Sequence, residues 1–198
     1  MRAILAAGII AATPAMAQAP VAETIGTWRL GCLTDRMTDR AACQLRHRDW
    51  VERPGSAAGL ALEIQDRGGH LVPVVTARDL GLESASRGVM ALTGRVQMRL
   101  GSNPAFEMAC GLEGLSLICF PNPAEAERLA RELPDAERLL VRVRQIGIGG
   151  AEAAEPTELR LEGTRDALAA YRRQVPPGPP VPAAEGADLL TRMQRLFQ

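Results

Sequence analysis

Arg95-Val96-Gln97-Met98-Arg99-Leu100 alternates polar and apolar side chains without a break. Successive side chains of an extended chain point to opposite faces, so this stretch has one apolar face and one wet face, as a half-buried strand does. The same period of two recurs in Val141-Arg142-Val143-Arg144, in Thr157-Glu158-Leu159-Arg160-Leu161-Glu162, and in the in-phase Leu60, Leu62 and Ile64. Asp66-Arg67-Gly68-Gly69 then turns the chain into Leu71-Val72-Pro73-Val74-Val75, which predicts a hairpin. Pro73 has no ladder donor, so its strand is expected at an edge or with a bulge. Roughly eight to ten such strands separated by turns predict a mainly β fold, an antiparallel sandwich or barrel-like domain.

Two short helices interrupt the strands, and a third is expected at the C-terminus. Asn122-Pro123-Ala124-Glu125 has an N-cap residue, Pro at the first helical position and Glu at the third. Ala126, Leu129, Ala130 and Leu133 form its apolar stripe, and Pro134 stops it. Thr164 is the expected cap of a second helix whose Ala167, Leu168 and Tyr171 face the sheet. Residues 175–186 are a Pro-rich linker. Residues 187–198 read as an amphipathic helix with Leu189, Leu190, Met193, Leu196 and Phe197 on one face, suited to a partner's groove, a membrane surface or the chain's own domain.

The N-terminus reads as an export signal. Met1-Arg2 is a short positive start, Ala3 to Ala12 is apolar, and Ala15-Met16-Ala17 is a small-x-small cleavage site. Cleavage is expected after Ala17, leaving residues 18–174 as the folded domain. Gln18 rather than Cys follows the cut, which argues against a lipid-anchored form. This places the protein in the periplasm, at the outer membrane or outside the cell.

Export gives the four cysteines a meaning. An even number in an oxidising compartment predicts disulfides. Four cysteines allow three pairings, and strand phase selects among them. Cys32 follows Trp28 and Leu30 on one face; Cys110 follows Phe106 and Met108; Cys119 follows Leu115 and Leu117. Each close pair flanks a turn-like stretch, Thr34–Asp39 or Gly111–Gly114, so Cys32–Cys43 and Cys110–Cys119 should each lock a hairpin. Each closes a loop of roughly ten residues, a stabilisation of about 2–3 kcal/mol in the chain-entropy model.

Composition narrows the function. The 23 basic residues, all Arg, balance 23 acidic ones, so there is no overall basic excess for nucleic acid. No C-x-x-C and no helical H-x-x-x-H offers a metal or redox site, and no cofactor is expected. No Ser sits in G-x-S-x-G. Gly147-Ile148-Gly149-Gly150 fails the dinucleotide pattern at Glu152 and at Pro156. His47, with Asp49 on its face, and His70, across a turn from Asp66, are the two histidines through which a periplasmic hydrolase would have to work. Ordinary surface positions are the expectation for both.

The arrangement resembles a known family. Trp28-x-x-x-Cys32, the Asp35-Arg36-Met37-Thr38 turn before Cys43, Leu62-Glu63-Ile64, Arg87-Gly88-Val89, Cys110, Cys119, the capped helix, and Leu159-x-Leu161-x-Gly163 before Ala169-Ala170-Tyr171 together resemble the invasion-associated locus B family of exported bacterial proteins. The resemblance covers residues 27–174. That family usually has Gly-Phe where this chain has Gly163-Thr164, and the Pro-rich tail lies outside its pattern. The resemblance implies a virulence-associated or envelope-maintenance protein of a Gram-negative bacterium, with no catalytic motif. The expected function is therefore a non-catalytic binding protein of the cell envelope, meeting an envelope or host protein. The alternatives are a structural, stress-protective periplasmic factor and the hydrolase using His47 or His70.

Overall fold

The computed structural model describes residues 21–37, 40–55, 58–78, 94–144 and 155–177. The export segment, Gly147–Gly150 and the helix holding Leu189, Leu190, Met193, Leu196 and Phe197 lie outside those residues. Ten strands form among the described residues: β1 Val21–Ile25, β2 Trp28–Asp35, β3 Arg40–Glu52, β4 Leu60–Arg67, β5 His70–Ala77, β6 Arg95–Leu100, β7 Phe106–Glu113, β8 Ser116–Pro121, β9 Arg138–Arg144 and β10 Thr157–Arg160. Helix α1 spans Pro123–Glu132 and α2 spans Thr164–Gln174. The strands make one antiparallel sheet in the order β1-β2-β3-β4-β5-β8-β7-β6-β9-β10.

The alternation sets the core. Trp28, Leu30, Leu45, Leu62, Ile64, Val96, Met98, Met108, Leu117, Leu139 and Val141 are all buried in one cluster. Asn122 caps α1 as expected, its Oδ1 accepting the Glu125 amide at 3.0 Å. Leu133-Pro134-Asp135 tightens into a 3-10 turn that ends the helix. Both disulfides form as expected, Cys32–Cys43 and Cys110–Cys119, with Cα atoms 4.1 and 3.9 Å apart between residues directly opposite in register. They suit an oxidising compartment outside the cytoplasm. No helix among the described residues is long and apolar enough to cross a membrane.

Three local expectations change. Pro73 lies in β5, which has neighbours on both sides, yet the ladder to β8 spans only Val75–Ala77, so that side asks nothing of its missing N–H. Leu115 is not in phase with Leu117 and Cys119; it sits in the exposed β7–β8 turn, because β7 runs on to Glu113. Thr164 is not the helix cap. Gly163, at φ 74°, holds that position, and the Thr164 hydroxyl turns inward.

That inward turn closes the molecule. The sheet is open, with β1 and β10 as its ends. β2 pairs with β3 only as far as His47, so the rest of β3 projects past the β1–β2 hairpin and meets β10. Side chains and turns, rather than a ladder, make the join. His47 Nε2 lies 2.8 Å from the Arg160 carbonyl, and Thr157 Oγ1 donates to the Val51 carbonyl at 3.1 Å. The Thr27 amide and hydroxyl both donate to the Glu162 carbonyl, at 3.0 and 3.2 Å. Trp28 Nε1 donates to Thr164 Oγ1 at 2.9 Å, and that hydroxyl donates to the Leu161 carbonyl at 2.8 Å. Gly26, at φ 55°, makes the approach possible, since a Cβ there would lie 2.1 Å from the Glu162 oxygen.

Helix α2 packs over the same join, on β1, β2 and β3. Near its end Arg172 pairs with Asp66 and donates to the Gly69 carbonyl, pinning the β4–β5 turn. Burial, reinforced by the Asp66 carboxylate, pushes the Tyr171 phenol above its ordinary value near 10.

Two outcomes are expected. Thr164→Val leaves the Trp28 indole donor and the Leu161 carbonyl unpaired while keeping shape, and should lower stability by about 1–3 kcal/mol in urea denaturation, whereas Thr164→Ser should cost much less. The protonated Tyr171 is favoured in the folded state, so its contribution is intact below the unfolded value near 10 and is lost as pH rises through the higher folded value. Tyr171→Phe should reduce that alkaline loss in denaturation curves measured on either side of pH 10.

Candidate binding face

His47 is buried, not on the surface, at 2 % exposure. Its ring meets Trp28 edge-on, with centroids 5.2 Å apart. The Asp49 amide donates to Nδ1 at 3.1 Å, so Nδ1 is the acceptor and Nε2 carries the proton given to Arg160. Both ring nitrogens thus serve backbone groups. The Asp49 carboxylate stays exposed and lies 3.6 Å from Arg48 Nε. His70 is half-buried at the start of β5, and Asp66 is engaged by the Gly69 amide and by Arg172. Among the described residues the two histidines are therefore not brought to a shared cleft with a nucleophile. Among the described residues no group of His, Cys, Asp and Glu is placed to hold a metal.

A different set of residues comes together on the outer face of β1, β2 and β3. The Cys32–Cys43 staple fixes the register, and three pairs further along it sets Arg29 directly opposite Arg46. Opposed like charges cost stability in an antiparallel pair. Arg48 follows Arg46 on β3 and lines the same cleft, which encloses about 450 Å³. Gly31 and Ala22, opposite each other, contribute no bulk to it.

Neighbouring groups hold this arrangement in place. The Arg46 guanidinium lies 4.0 Å from the Trp50 ring centroid, a cation–π stack. Gly59 and Pro54 pack close to that ring, and a Cβ on Gly59 would lie 2.8 Å from Trp50. Glu63 is opposite Arg46 on β4 but is buried and already engaged. It accepts from Gln44 Nε2 at 2.6 Å and pairs with Arg78 at 2.5 Å. A carboxylate only accepts, so the Gln44 amide nitrogen must face Glu63 and its oxygen is turned away.

Chemically, such a surface can meet an anion. Guanidinium forks match carboxylate and phosphate oxygens in pairs. The alternation in Arg46-His47-Arg48 is visible in the sequence, but its partner across the strands is set by the register. The signal was available, since setting Cys32 opposite Cys43 also sets Arg29 opposite Arg46. No family model, curated protein or solved structure matches the chain.

If the opposed guanidinia are kept for binding rather than for folding, Arg29→Thr should stabilise the protein by about 0.2–1 kcal/mol in urea denaturation. A loss of stability would show that Arg29 has a structural partner.

Proposed function

We propose that this chain is an exported, non-catalytic binding protein of the bacterial cell envelope, similar to the invasion-associated locus B proteins, and that it meets its partner through the outer face of β1–β3. The observation that carries this reading is the Arg29–Arg46 pair, set face to face beside Arg48 at a cleft. Like charges held together on an exposed sheet have a cost that an anionic partner removes.

Three further features support it. The signal-like N-terminus and the two disulfides agree on export. Three of the stretches that carry the family resemblance are ones on which the fold depends: Trp28 donates to Thr164, Cys32 is bonded to Cys43, and Asp35 accepts the Met37 amide at 2.7 Å in the turn between them. The departure from Gly-Phe to Gly163-Thr164 has a local use, because Thr164 supplies the acceptor for the Trp28 indole. A hydrolytic role for His47 would require giving up the bond that joins β3 to β10.

Site-specific photo-crosslinking in the producing bacterium tests this reading. The mature chain should begin at Gln18 in the periplasmic or outer-membrane fraction. A crosslinker at Arg29 should trap one recurrent species, and one at exposed Glu127 on α1 should not. A cytoplasmic protein with reduced cysteines, or identical patterns from the two positions, would contradict it.

A further inference from the structure

We infer that the cleft lined by Thr24, Arg29, Gly31, Gln44, Arg46 and Arg48 binds an acidic saccharide, whose carboxylate or phosphate is held by the guanidinia and whose hydroxyls are met by Gln44 and Thr24. This rests on the binding-protein reading above and names the chemistry of the ligand.

The charge sets the first requirement. Three guanidinia face one acidic lining residue, Glu23; Arg48 also lies 3.6 Å from the Asp49 carboxylate, and no ion pair is formed by Arg29 or Arg46 among the described residues. Arg29 and Arg46 are opposite each other, so their forks can converge on one oxyanion. Arg48 lies two residues along β3 and lines the same cleft, in reach of a second anion on the same ligand. Charge complementarity therefore selects an anion, and the spacing favours more than one.

The neutral groups set the second requirement. The Gln44 oxygen is an acceptor turned away from Glu63, and the Thr24 hydroxyl both donates and accepts. An acceptor beside a bank of cations is of no use to a bare anion. It is satisfied by a ligand that also carries hydroxyl donors. Trp50 is not available as a stacking platform for a nucleobase, because Arg46 covers the ring and Gly59 and Pro54 pack close to it. Its part is to position Arg46. A cleft of about 450 Å³ lies within the range of small-molecule sites, roughly 300–1,000 Å³, and suits a few sugar rings.

Gly31 supplies the third observation. It lies on the outer face of β2, and a Cβ added there would meet nothing within 4 Å. The space above it is open, and a strand position opposite Gln44 would ordinarily favour a β-branched residue. A glycine there keeps the floor of the cleft clear. It also offers a variant that fills the site without removing any charge.

The experiment is a calorimetric titration of the mature, oxidised protein with trigalacturonate, glucose 1-phosphate, neutral galactotriose and triglutamate. One of the two acidic sugars should bind, and which one does distinguishes carboxylate from phosphate recognition. Galactotriose should show no heat, and triglutamate should bind at least about tenfold more weakly than the preferred sugar. Gly31→Val should abolish binding while its unfolding midpoint stays level or rises. Arg46→Gln should weaken binding by at least about tenfold, and Arg131→Gln on α1 should leave it unchanged. The proposal is overturned if neither acidic sugar binds at millimolar concentration, if triglutamate binds equally well, or if Gly31→Val binds like the parent. Loss of sugar binding with the Arg29 crosslink intact would overturn the ligand class alone. Loss of both would remove the binding-face reading with it.

Discussion

The join between the Gly26-Thr27-Trp28 segment and the Arg160-to-Thr164 segment is the constraint on which the rest of the structure depends. Three successive carbonyls, those of Arg160, Leu161 and Glu162, receive His47, Thr164 and Thr27 in turn. A ten-stranded sheet whose ends do not pair would leave unmet backbone groups at the join and an uncovered core. Here buried side chains take the place of the missing ladder. The contact is intolerant of bulk, because Gly26 and Gly163 meet backbone to backbone and both have positive φ. The local cost of those conformations is met by glycine alone.

This closure also separates core from surface in the first half of the chain. Alternation along β2 and β3 sends Trp28, Leu30, Cys32, Leu45 and His47 inward. The outward residues of the same strands, Arg29, Gly31, Gln44 and Arg46, are thereby held at fixed spacing on a rigid support. The Cys32–Cys43 bond acts on both faces. It locks the register that packs the core, and the same register sets Arg29 opposite Arg46.

Much of the fold was legible because it depends on short-range pattern. Period-two alternation located the strands, Asn122-Pro123 located α1, and strand phase gave both disulfides. What was not legible depends on contacts far apart in sequence. Nothing near Thr164 announces that its hydroxyl serves Trp28, 136 residues away, and a Thr beside a Gly at a helix start reads naturally as a cap. His47 lies between two arginines and shows no local sign of burial. Its burial follows from β10 approaching β3, at a separation of 113 residues. The arginine face fell between these cases. Its residues were plain, but only the register made them neighbours.

Native-state hydrogen exchange at the Thr27 amide tests the central claim most directly, because that N–H is buried in the join and bonds only to Glu162 across it. If the join is what holds the open sheet together, Thr27 should exchange only through global unfolding, with the same free energy as the amide of core residue Leu45. Exchange of Thr27 by local opening, several kcal/mol easier than at Leu45, would show that the sheet stands without its closure and would contradict the account.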